Sequence, residues 1–257
     1  MTPVRPAAKG GAGGSSALPR PVRDLARLVA PVLMLAPVFL LTAAGPALAH
    51  GVADKDAAFI EANPGPQILP FLYLGAKHMV TGYDHLLFLA GVIFFLHRLR
   101  DVALYVTMFS LGHSVTLLSG VLARVHVDAF LVDAVIGLSV VWKALDNLGA
   151  FPAFTGRQPD NRLVVLGFGL VHGFGLAAKL QDLRLSPDGL VPNILAFNVG
   201  VELGQFVALS VMLVLFALWR ATPAFRRGAV AANVLLMTAG FLLMGQQLAG
   251  YAFQEAA

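Results

Sequence analysis

From about residue 70 onward the chain is a succession of six apolar runs, near positions 70–97, 102–123, 129–148, 162–183, 193–219 and 229–250. A helix needs about 20 apolar residues to cross the hydrocarbon of a bilayer, and each run reaches or exceeds that length. The runs are continuous, without the alternation of barrel strands, and an open strand cannot satisfy its backbone in lipid. Short polar or Pro/Gly-marked breaks separate them: His97 to Asp101, Arg124 to Asp128, Phe151 to Asp160, Asp182 to Pro192, and Arg220 to Arg227. The expected fold is all-α, a polytopic membrane protein with six transmembrane helices. Composition agrees, since only 12% of residues are charged and the mean hydropathy is +0.77. A soluble domain carries roughly twice that charged fraction, and a disordered chain is less apolar still. The absence of cysteine excludes disulfides, thiolate metal sites and a thiol nucleophile.

The first 49 residues differ from the rest. Arg5, Lys9, Arg20, Arg23 and Arg27 stand against Asp24, an apolar run follows from Leu28 to Ala44, and Pro46-Ala-Leu-Ala49 closes the segment. This order of basic, apolar and small residues is that of a secretory leader. The alternative is a first helix kept in the mature protein. Cleavage after Ala49 divides the chain into a signal peptide (1–49), a short extracytoplasmic segment (50–69), a six-helix membrane domain (70–250) and an extracytoplasmic tail (251–257).

The formal charge of +4 and the pI near 9.7 invite a nucleic-acid reading. The leader holds that excess, because without it thirteen Lys/Arg face thirteen Asp/Glu. No nucleic-acid partner is expected, and the partner implied is the bilayer. With an outside N-terminus, the connections after spans one, three and five face the cytoplasm. They carry Arg98, Arg100, Lys143, Arg157, Arg162, Arg220, Arg226 and Arg227, whereas the outer side holds Lys55, Arg124 and Arg184. The asymmetry obeys the positive-inside rule and places both mature termini outside.

Ionisable groups within a span are costly and mark function by default. His113 and His172 fall near the centres of spans two and four, and Asp84 and His85 near the middle of span one. His78 falls nearer the outer surface, as does Glu202 in span five, and Asp133 near the outer end of span three. Asn198, Glu202 and Gln205 share a face by their spacing. Imidazole with carboxylate is the donor set of borderline divalent metals, nickel, cobalt, zinc or copper. His78 and His85 are about 10 Å apart along a continuous helix. They can therefore serve one ion only if the helix breaks, for which Gly82 is placed, and otherwise form two stations on a path. Ser110, Ser114 and Ser139 are expected to bond backbone carbonyls of their own helices. Gly169-x-x-x-Gly173 and Gly200-x-x-x-Gly204 read as close helix packing. Lys143 and Asp146 read as an ion pair. The shared F-x-L-x-H of Phe109–His113 and Phe168–His172 supports no repeat.

The segment His78-Met-Val-Thr-Gly-Tyr-Asp84-His85 resembles the first helix of the HupE/UreJ family of bacterial membrane proteins. The likeness continues through Phe109-Ser-Leu-Gly-His113, Gly169-Leu-Val-His172-Gly and Phe197-Asn198-Val-Gly-Val-Glu202-Leu-Gly-Gln205. The Phe197-Asn198-Val-Gly-Val-Glu202 block resembles that of the family's less characterised branch. The resemblance implies a secreted leader, about six membrane helices, an inner-membrane location and a role in nickel or cobalt uptake. The segment is also similar to the H-x4-D-H motif of the nickel/cobalt transporter family, and that likeness implies that His78, Asp84 and His85 are the metal-selecting group. One departure is plain: after His172-Gly173 the hydrogenase-linked members carry a glutamate, whereas this chain runs on through Phe-Gly-Leu-Ala-Ala to Lys179.

The expectation is a non-enzymatic permease for a divalent transition metal, nickel or cobalt first and zinc or copper as alternatives. The metal enters by His78 and binds Asp84, His85, His113 and His172, with Glu202 assisting. Asn198, Gln205, Ser110, Ser114 and Asp133 support them. Neutral imidazole binds metal and imidazolium does not, so binding weakens in acid. The rivals are an intramembrane zinc hydrolase, with Asp84 or Glu202 as base, and a non-catalytic accessory protein. A homo-oligomer is compatible with either class.

Overall fold

The computed structural model describes residues 60, 63–181 and 187–255. The expected leader, its cleavage point and most of the segment before the first helix lie outside the described residues. The described residues form eight helices: α1 (Ile68–Thr81), α2 (Tyr83–Ile93), α3 (Leu99–Leu122), α4 (Ala129–Asn147), α5 (Ala150–Thr155), α6 (Asn161–Gln181), α7 (Leu190–Arg220) and α8 (Pro223–Glu255). The chain is all-helical over these residues. Four helices, α3, α6, α7 and α8, are long and apolar enough to cross a membrane by length and composition.

The other two expected spans differ for local reasons. The run near 70–97 is two helices, because the backbone turns extended at Gly82 (φ −71°, ψ 95°). The Gly82 N–H still closes α1 on the His78 carbonyl at 2.8 Å, and the Gly82 carbonyl opens α2 by accepting from the Leu86 N–H at 3.1 Å. Glycine is needed there, since a Cβ would fall 2.9 Å from both the His78 carbonyl oxygen and the His85 ring. Helix α4 is long enough, but Asp133, Lys143 and Asp146 interrupt its apolarity. Its start is fixed by Asp128, whose side chain accepts the Leu131 N–H at 3.0 Å. The polar stretch Arg220–Arg227, expected as a break, is mostly the first turn of α8. Pro223 opens that helix, at the position where a missing N–H costs nothing.

Three helix pairs carry most of the packing: α1 with α7, α3 with α6, and α4 with α8. Each closes on glycine. A Cβ at Gly200 would lie 2.0 Å from the Leu72 carbonyl oxygen, and one at Gly173 would lie 2.2 Å from that of His113. Without an alternative solvent for apolar side chains, membrane helices gain contact by bringing their backbones together in this way. Both G-x-x-x-G segments therefore pack helices, as expected. Gly200 meets Leu72 and Gly204 meets Ala76, so α1 and α7 run parallel, as do α3 and α6, where Phe109 meets Gly169 and His113 meets Gly173. In α4 and α8, Gly137 meets Met244 and Phe130 meets Gly250, so this pair is antiparallel.

The short helix α2 is tied at its C-terminal end. The Arg220 guanidinium donates to the carbonyls of Ile93, Phe94 and Leu96 at 2.5, 2.7 and 2.7 Å, which would otherwise be left open at a helix terminus. Asn147 adds a bond to the Gly91 carbonyl at 2.9 Å, and Lys143 pairs with Asp146 on the same helix as expected. A half-helix held so firmly at one end presents its other end, Tyr83-Asp84-His85, at a fixed place inside the bundle. Two apolar clusters flank that place. One contains Phe71, Phe94, Phe197 and Trp219, and the other Phe88, Phe109, Val140 and Leu236.

Candidate metal centre

The break at Gly82 decides the geometry of the site. The kink sets the end of α1 beside the start of α2, and the rings of His78 and His85 lie 5.1 Å apart, centre to centre. Of the two arrangements open to His78 and His85, two stations on a continuous helix or neighbours across a break at Gly82, the chain adopts the second. His85 is the hub: His172 of α6 is 5.0 Å away and His113 of α3 is 6.1 Å away. Two imidazoles on one tetrahedral ion have ring centres about 5 Å apart at ordinary metal–nitrogen distances. As the side chains stand, no three His, Asp or Glu groups among the described residues are placed to hold one ion.

Burial is nearly complete at the hub. Asp84, His85, His113 and His172 are 7%, 3%, 1% and 1% exposed. Phe109 packs on three of the rings, at 5.0 Å from His172, 6.2 Å from His113 and 6.4 Å from His85. Phe88 covers His172 at 5.4 Å, and Phe197 approaches His78 at 6.1 Å. These phenylalanines were missed in the sequence, where an aromatic within an apolar run carries no signal of its own.

Two of the four rings are held by hydrogen bonds that fix which nitrogen is left open. His85 Nδ1 lies 2.9 Å from Asp84 Oδ1, and a carboxylate only accepts, so Nδ1 carries the proton and Nε2 keeps its lone pair. Ser139 gives its one hydroxyl proton to the Ile136 carbonyl at 2.6 Å, and its oxygen stands 3.2 Å from His172 Nε2. His172 therefore donates from Nε2 and leaves Nδ1 open. Ser139 thus bonds its own helix, as expected, and a histidine as well. Five imidazole nitrogens are buried without a hydrogen-bond partner among the described residues: His78 Nε2, His85 Nε2, His113 Nδ1 and Nε2, and His172 Nδ1. Buried polar atoms in native proteins are almost always paired, so such a concentration calls for an explanation.

The remaining expected site residues divide into three groups. Asp133 of α4 forms an ion pair with Lys179 of α6 at 2.7 Å, and Asp133 and Asp84 line one cleft with Gly137, Leu243 and Gln247. Lys179, which follows the point of departure from the hydrogenase-linked pattern, is therefore committed to a carboxylate. Gln205 is 2% exposed, and both its amide atoms lack a partner among the described residues. Glu202 and Asn198 join a different assembly, since Ser110 Oγ donates to Glu202 Oε1 at 3.2 Å and Ser114 Oγ and Asn198 exchange bonds at 3.1 and 2.8 Å. Ser110 and Ser114 thus bridge to α7, contrary to the expectation that they bond their own helix. Among the described residues no hydrogen bond or ion pair joins Glu202 to any of the four histidines.

A family model described as HupE / UreJ protein matches residues 54–255. The chain belongs to the HupE/UreJ family. Within that match lie the whole broken helix and all four histidines, so the centre is part of the family domain. No curated protein and no solved structure matches the chain.

Proposed function

We propose that this HupE/UreJ protein is an inner-membrane permease that takes a divalent transition metal, nickel or cobalt first, through the cluster of His78, His85, His113 and His172. One observation carries the reading: four imidazole rings from α1, α2, α3 and α6 cluster around His85 with five buried nitrogens lacking a hydrogen-bond partner among the described residues, two of them left open by the bonds to Asp84 and Ser139. Neutral imidazole suits nickel, cobalt, zinc and copper, and a donor bonded at its far nitrogen is a stronger and better aimed ligand. Asp84 acts in this reading through His85, with its charge offsetting that of the ion.

The six-span topology belongs to the same proposal. Alternating crossings require spans one and five, and two and four, to be parallel, and three and six to be antiparallel, which is how the three tight pairs run when α1 and α2 count as one broken span. Discontinuous helices with mid-membrane ends are a recurring way to build ion sites in transporters. Transport is preferred over hydrolysis because, among the described residues, Asp84 is bonded through Oδ1 to the His85 ring and backbone and Glu202 is turned to Ser110.

The test pairs uptake with metal content. Cells making the protein should accumulate radiolabelled nickel or cobalt, and purified protein should retain the metal by elemental analysis. Both should fall to background in His85→Ala and His113→Ala at equal amounts of folded protein. Unchanged accumulation in both variants would reject the reading.

A further inference from the structure

The seam between α3 and α7 is chemically unlike the histidine cluster. These two helices are not among the close-packed pairs and meet instead through polar side chains. Ser110 pairs with Glu202 and Ser114 with Asn198, two rungs one helical turn apart on antiparallel helices. Around them Leu111, Val115, Leu195, Val199, Leu203 and Phe206 are exposed apolar residues, the surface a bilayer would cover. Glu202 itself is exposed on this face. A carboxylate and an amide from α7 thus meet two hydroxyls from α3 within the apolar stretches of both helices, where water is scarce and an ionisable group is costly.

We infer that Ser110, Ser114, Asn198 and Glu202 form a site for a monovalent hard cation, with sodium as the ion, separate from the transition-metal centre. The donors are all oxygen, which hard cations take and borderline metals do not prefer. The charge is also decisive: a single carboxylate balances one positive charge, whereas divalent sites of this kind draw on more. Two oxygens sharing a cation at about 2.4 Å and a right angle stand about 3.4 Å apart. Within each rung the oxygens already stand 3.2 and 3.1 Å apart, close to that spacing, so an ion can take the place of a rung's hydrogen bond without driving its two oxygens far apart. Ser110 and Ser114 lie three residues before and one after His113 on α3. A cation drawn onto this seam therefore acts on the helix that carries one of the metal-site imidazoles. That coupling rests on the transport reading above, whereas the binding of sodium does not.

The test uses purified full-length protein and sodium chloride. Its thermal midpoint should rise saturably with sodium chloride and not with equimolar choline chloride. Glu202→Gln, which keeps an oxygen for Ser110, should abolish the rise while remaining folded. His85→Ala should lose retained transition metal yet keep the sodium response, so failure of one reading is distinguishable from failure of the other. Equal responses to sodium and choline in the wild type would overturn the site whatever the variants do. A concentration-dependent dimer lost in Glu202→Gln, with no sodium response, would overturn it in favour of a contact between copies.

Discussion

One oxygen of Asp84 holds His85 twice: Oδ1 accepts the His85 backbone N–H at 2.8 Å and faces its ring Nδ1 at 2.9 Å. The first contact sits in the opening turn of α2, where a carboxylate complements the exposed N–H groups and the positive end of the helix dipole. The second fixes the tautomer. Replacing Asp84 by Asn leaves an oxygen for the backbone but removes the charge that orients the ring. Partners of this kind typically change metal affinity by about 10–100-fold when mutated. Asp84→Asn should therefore weaken nickel binding by about that factor in titration calorimetry while leaving the circular dichroism spectrum unchanged. A loss of helix instead would show that the carboxylate serves only the start of α2.

Gly82 separates two histidines that would otherwise be distant. Alanine is favoured over glycine in a helix by about 1 kcal/mol, and here its Cβ would also press on the His78 carbonyl and the His85 ring at 2.9 Å. Both effects favour a continuous helix. His78 and His85 would then be about 10 Å apart along the axis at the usual rise. Gly82→Ala should retain helical content and lose metal retention, read by circular dichroism and elemental analysis on the same sample. Full retention with a folded protein would show that the break is not what assembles the site.

These two residues also mark how far the sequence can be read. The histidines were legible because ionisable groups in apolar runs have no ordinary reason to be there. The position of His78 was not, because rise arithmetic presumes an unbroken helix and Gly82 signals a break only as an option. Asn198, Glu202 and Gln205 share a face by spacing, yet Glu202 and Gln205 differ by about 60° around the axis at 3.6 residues per turn. That difference turns Glu202 outward to Ser110 and Gln205 inward. Which side of a shared face meets a partner depends on where the neighbouring helix lies, and no single segment encodes it. The clamp of Arg220 on α2 was hidden for the same reason, since the positive-inside rule already accounted for that arginine.

The parallel pair of α3 and α6 sets the height of His113 against His172 through glycine. At Gly173 a Cβ would fall 2.1 Å from Thr116 Oγ1 and 2.2 Å from the His113 carbonyl, whereas at Gly245 nothing lies within 4 Å. Thr116 also bonds the Leu170 carbonyl at 2.7 Å, so the crossing has little room to yield. Overpacking of this sort costs about 1–3 kcal/mol. Gly173→Ala should lower the thermal midpoint clearly, and Gly245→Ala should leave it unchanged or slightly raised. Equal midpoints would mean that α3 and α6 can separate freely at this level.

The pair of Asp133 and Lys179 is largely buried, with side chains 10% and 14% exposed. Removing one partner from such a pair leaves an uncompensated charge and costs about 3–5 kcal/mol, whereas removing both is often close to neutral. Lys179→Met should therefore reduce the yield of folded protein and its thermal midpoint more than Asp133→Asn combined with Lys179→Met. The comparison isolates the charge because both variants lose the same lysine. Asp133 shares a cleft with Asp84, so the double variant also reports on the centre. If the pair only ties α4 to α6, the double variant should retain metal as the wild type does. If the cleft guides the ion toward His85, retention should persist while the rate of nickel uptake falls. A single variant as stable as the double would show that the two charges are not coupled.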